Sequence, residues 1–224
     1  MDMHISGAGR IAPGKYENIC VSGSGKLCGH IHCTGLRTAG ACSGESLDCT
    51  GTVKSAGSCS FSGDVSVSKL SCCGSFSCGG SIRCDSLSIY GSVRIKEDVT
   101  AEAATVHGAI HCNGLLNAET IHIKNDGGSH IGSIGGSTVT IHPEHSERIF
   151  LKFPLLSKLL KKKWQTIRIE NAIEADTIEL INVIAPRVSG RVVTIGEDCR
   201  IDLVQYSEQI EISPKAKVGR TEKL

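Results

Sequence analysis

Large side chains are what this sequence has least of. Aromatic residues make up 4% of its 224 residues, and proline occurs five times. A compact core normally leans on bulky rings and long aliphatic chains, so the interior here is expected to be narrow and built from small residues. No run of about 18 apolar residues occurs, so no membrane-spanning helix is expected. Charge of one sign is missing too. The formal net charge is +1, and nothing in the bulk electrostatics calls for nucleic acid or an acidic partner. Scarce proline argues against collagen, and a 40% hydrophobic content argues against disorder. The start, Met1 to Ile5, has neither a positively charged region nor an apolar stretch of the signal-peptide kind. A reducing, cytoplasmic setting is therefore expected, with the twelve cysteines as thiols or metal ligands rather than disulfides.

Glycine and a strict period are what the sequence has in their place. Gly23, Gly40, Gly57, Gly74, Gly91 and Gly108 stand seventeen residues apart. Units aligned on them begin at Ile19, Leu36, Val53, Leu70, Leu87, Ala104 and Ile121. Apolar residues then fall in pairs two apart, at positions one and three, seven and nine, and thirteen and fifteen. The second unit fits if it slips by one residue, which places Leu47 and Cys49 in the last two columns. Alternation with period two marks short half-buried strands, and helical spacing is absent. Three strand pairs per unit, broken by small and polar residues, predict three sides and three corners. The expected fold is all-β: a single-stranded parallel β-helix with one unit per coil. About eleven coils at the inter-strand spacing give a rod of about 50 Å. Coils are expected over residues 3–149 and 165–218, with an insertion at 150–164 and a short tail at 219–224.

Most cysteines have a packing explanation. Cys33, Cys42, Cys49, Cys59, Cys72, Cys78, Cys84 and Cys112 fall in inward columns, and Cys199 lies in an inward alternation of its own. Free cysteine behaves as a small hydrophobe, which suits a narrow interior. Cys20, Cys28 and Cys73 are expected outside. In "SGSGKLCGHIHC", Leu27, Gly29, Ile31 and Cys33 are read as pointing in, and Cys28, His30 and His32 as pointing out together. An H-x-H pair with a thiolate is a metal-ligand pattern, but neighbouring units supply no further His or Cys in those columns. The stretch is therefore read as an ordinary coil with no metal, and no cofactor is expected. His107, His111, His122, His130, His142 and His145 are scattered across columns and read as solvated or hydrogen-bonded.

Catalytic constellations are not visible. Asp64 and Asp98 share a column two coils apart, and Glu102 and Glu119 are adjacent in another, with no base or cleft partner. SGSGK at 22–26 lacks the spacing of a phosphate-binding loop. The chain is expected not to be an enzyme. Residues 150–164, FLKFPLLSKLLKKKW, are the compositional outlier. Leu155, Leu156, Leu159 and Leu160 share one helical face with Trp164 near it, and Lys161, Lys162 and Lys163 crowd the other. Phe150 and Phe153 precede it, and Pro154 suits a first helical turn. Two readings stay open. The segment is a short basic amphipathic helix that docks an anionic membrane surface or a protein partner, or it packs its leucines on the rod itself.

The units "VSGSGKLCGHI", "LSIYGSVRI" and "ATVHGAI", with the ending "VVTIGEDCRIDLVQYSEQIEISPKAKVG", resemble the bactofilin family, and most closely its longer Firmicute members. The resemblance implies a right-handed β-helix that polymerises without nucleotide into nonpolar filaments. It also implies a scaffolding role in cell shape, motility or envelope organisation. The residues point the same way. A β-helix has two open ends with unpaired strand edges, and no capping helix is evident here. End coils are expected to stack on those of further copies, or of a homologous chain, through Ile5, Val21, Ile210, Ile212 and Val218. The alternative is a non-polymerising β-helix binding module acting through 150–164.

Overall fold

The computed structural model describes residues 1–144 and 166–224. Sixteen strands, all parallel, form one continuous sheet that winds into a β-solenoid of about 12 turns. No helix occurs among the described residues, and the expected helical insertion at 150–164 lies outside them. The apolar doublets behave as the alternation predicts. In the coil that starts at Leu70, the interior receives Leu70 and Cys72, then Phe76 and Cys78, then Ile82, while Cys84 packs at the core's margin. Each doublet rests on the one seventeen residues earlier: Leu36 pairs with Val53, Val53 with Leu70, and Leu70 with Leu87. This stacking buries a continuous apolar column that no single coil could bury alone.

Volume is balanced between coils. In one column Leu27, Gly44, Phe61 and Cys78 follow each other. A Cβ on Gly44 would sit 2.5 Å from the Phe61 ring, so the glycine makes the space that the ring fills. Phe61 and Phe76 are both fully buried with ring centroids 6.1 Å apart, and they replace the bulk that the coils around them lack. Where small polar residues enter the interior they satisfy each other: Thr38 Oγ1 donates to Ser55 Oγ at 2.9 Å.

The glycine column forms a tight corner. A Cβ on Gly23, Gly40, Gly57, Gly74, Gly91 or Gly108 would stand 2.0–2.4 Å from the carbonyl oxygen of the glycine one coil before. Three of them also have positive φ, at 142°, 138° and 131° for Gly74, Gly91 and Gly108. The column ends at Asn125, which is buried. There Ser129 Oγ donates to Asn125 Oδ1 and accepts the Ile110 N–H, turning the corner with side chains instead.

One boundary differs from the sequence expectation, at the C-terminal end. The strand Ser129–Pro143 pairs with its predecessor. The same strand pairs onward with Ile167–Ile169 and Ala172–Leu180, so the solenoid is continuous across residues 145–165. At the C-terminal end, 219–224 is not a tail. Lys217–Lys223 is a strand paired with Arg200–Tyr206. Within it, Val218 packs against the core.

Candidate functional site

The two ends of the rod are built differently. At the N-terminal edge the strands are short: Met3–Ile5, Ala8–Ile11 and Gly14–Lys15, broken at Pro13. Ile11 has no exposed surface, Ile5 is 9% exposed, and Tyr16 packs on the core with its hydroxyl donating to the Ala12 carbonyl. Val21 is fully buried one coil in, directly beneath Ile5. It is therefore a core residue of the second coil rather than a residue of the end layer. Short, interrupted strands are a blunted edge.

The C-terminal edge is open. The strand Arg200–Ile212 pairs on one side, with Val183–Ile195, and beyond Tyr206 no described strand covers the other side. Ile210, Ala216 and Val218 are half-buried, and Ile212 is 41% exposed. Among the described residues this apolar layer is thus covered on one face only, and the edge offers backbone groups that no described strand pairs. Phe150, Phe153, Leu155, Leu156, Leu159, Leu160, Lys161, Lys162, Lys163 and Trp164 lie outside the described residues.

All twelve cysteines are free thiols. Burial pushes Cys78 and Cys112 up to about 11 and Cys84 up to about 12. Cys33 and Cys59 hold their protons tightly, first because each donates to the stacked sulfur of Cys49 or Cys42, then because of burial. The acceptor Cys49 is lowered to about 7 by that bond, but it has almost no exposed surface and lies out of a reagent's reach. Interior thiols are therefore packing groups, as the column pattern predicts. Of the three expected outside, Cys73 is exposed and Cys20 and Cys28 are half-buried. A thiol reagent at pH 8 is expected to label these three readily and the eight buried cysteines only after unfolding. Fast labelling of interior cysteines in the native protein would contradict this packing.

Two of the carboxylates singled out by column, Asp64 and Asp98, have structural partners. Asp64 Oδ1 accepts the Ser81 N–H and Asp98 Oδ1 accepts the Leu115 N–H, each at 2.8 Å and each in the following coil. Three histidines pair with glutamates from other coils: His107 with Glu144, His130 with Glu170, and His142 with Glu179. Tyr90 stacks on His107 with centroids 4.8 Å apart. His111 and His122 are lowered, chiefly by desolvation.

The opening stretch is rearranged. Gly29 has φ +63° and forms a corner against Pro13, so it does not point inward. That corner separates Cys28 from the face carrying His30 and His32. In place of the thiol, Asp48 of the next coil pairs in register with His32, and Ser46 with His30. Sequence reading missed Asp48 because it searched the neighbouring column for His and Cys at an offset of seventeen. The one-residue slip that places Leu47 and Cys49 inside was the available signal, since it also puts Asp48 outward beside His32.

Comparison with known proteins gives one curated match. The chain is 34% identical over 113 residues to the uncharacterized protein YhbE of Bacillus subtilis (strain 168), covering 50% of this chain and 44% of that protein. The match thus spans less than half the length of YhbE. No family model matches the chain, and no solved structure does.

Proposed function

We propose that this chain is a structural scaffold subunit of the bactofilin kind, which self-assembles without nucleotide by end-to-end stacking of β-solenoid coils. The observation that carries the reading is the uncovered C-terminal layer of Ile210, Ile212, Ala216 and Val218 beside an unpaired parallel edge. A second copy of this chain supplies what that edge lacks: strand hydrogen bonds at the same spacing and an apolar layer of the same width. The proposed setting is cytoplasmic, and the proposed partner is the chain itself or a homologous chain. A non-catalytic role accords with the paired carboxylates and histidines, which bond across coils instead of converging on a cleft. Among the described residues no helix is long and apolar enough to cross a membrane. Contact with an anionic membrane surface through 150–164 belongs to the same proposal.

Negative-stain electron microscopy of purified protein under reducing conditions, without nucleotide, tests it. Unbranched filaments a few nanometres wide are expected. Discrete rods of about 55 Å, the length of twelve stacked coils, at every concentration tried would overturn self-assembly.

A further inference from the structure

We infer that His30, His32 and Asp48 form a binding site for a borderline divalent cation such as Zn²⁺ or Ni²⁺. Each of the three side chains offers one ligand atom, and those atoms all lie within 4.8 Å of one another. The His32 Nδ1 to Asp48 Oδ2 distance is 3.2 Å, close to the roughly 3.3 Å that two ligands keep on a tetrahedral ion. The His30 and His32 rings meet edge to face with centroids 4.3 Å apart. Ser46 Oγ lies 2.7 Å from His30 Nδ1 and sets that ring's orientation, as supporting residues do around metal ligands.

The backbone beneath the site is fixed. Ile31, between the two histidines, is fully buried, and Leu47 and Cys49, either side of Asp48, are 1% exposed. Two adjacent parallel strands in register therefore present the three ligands from a rigid wall, which lowers the ordering cost of binding. His30 is exposed and the other two are half-buried, so an ion reaches the site from solvent. The groove beside it carries the carboxylates of Asp64 and Glu97 as well as Arg83. Two imidazoles and one carboxylate select zinc, nickel or copper over magnesium and calcium, which prefer all-oxygen sites. Three protein ligands leave a position for water or for an outside ligand.

The test is isothermal titration of the full chain with ZnCl₂ and with NiCl₂, beside a background in which Cys20, Cys28 and Cys73 are changed to serine. One equivalent is expected to bind in both proteins. His32→Ala and Asp48→Asn are each expected to weaken it at least about tenfold. Asp48→Asn keeps shape and volume, and the melting temperature of each variant checks the fold. His111→Ala combined with His130→Ala, a second adjacent histidine pair on the rod, is expected to bind like the parent. Parent-like binding by folded His32→Ala and Asp48→Asn, no heat from the parent, or loss of the equivalent in the serine background would each overturn the assignment.

Discussion

Gly91→Val is expected to be among the most destabilising single changes in this protein. A Cβ there would stand 2.2 Å from the Gly74 carbonyl oxygen, and Gly91's own oxygen already stands 2.0 Å from where a Cβ on Gly108 would lie. The conflict of a Gly91 side chain is with the Gly74 backbone, so no side chain can swing away to relieve it. The residue also has φ +138°, which a β-branched side chain avoids. Backbone strain of about 1–3 kcal/mol and overpacking of about 1–3 kcal/mol together give roughly 2–6 kcal/mol. A thermal melt is expected to fall by on the order of 10 °C. Arg94→Val, three residues on at an exposed strand position, is expected to change stability by no more than about 0.5 kcal/mol. A parent-like melt for Gly91→Val would mean that the corner can open between coils. The stacked-glycine account of the period would then fail.

The same corner explains why so much of the fold was legible. Backbone stacked on backbone tolerates only glycine, so the seventeen-residue period is written in the residue type that sequence reading detects first. The sides are legible for a similar reason. Leu70, Phe76 and Ile82 each need an apolar neighbour one coil away, and a doublet with period two survives any choice among small hydrophobes. Corners are less legible because their length is free. His32 pairs with Asp48 sixteen residues on, Ile121 with Val139 eighteen on, and Ile178 with Val193 fifteen on. A fixed count of seventeen therefore loses Asp48 from its column. The ends are the least legible. Ile5 and Ile212 look equivalent as apolar letters near the two edges. Only the structure distinguishes the closed coil around Ile11 and Tyr16 from the open layer around Ile212.

That asymmetry makes Ile212→Lys the decisive substitution for assembly. Ile212 is 41% exposed in the single chain, so a lysine there can reach water and costs the monomer little. In a stack the same position is covered by the next copy, and the ammonium would be buried without a partner. A buried unpaired charge costs about 3–5 kcal/mol. At about 1.4 kcal/mol per tenfold, that raises the concentration needed for assembly by roughly a hundredfold to a thousandfold or more. The expected result is short rods with a parent-like melting temperature, seen by sedimentation and by electron microscopy. Ile5→Asp tests the opposite end less cleanly, because Ile5 is 9% exposed and its loss also loosens the first coil. Glu211→Lys places the same ammonium on a neighbouring exposed residue, a charge change twice as large, and is expected to leave filaments intact. Filaments of Ile212→Lys at the parent's concentration would remove the C-terminal layer from the interface. N-terminal edges alone would close into dimers, so a filament would then have to use the flank of the rod. Among the described residues the flank presents no unpaired strand edge, so it could not extend the sheet from copy to copy, and any polymer built through it would be a lateral one.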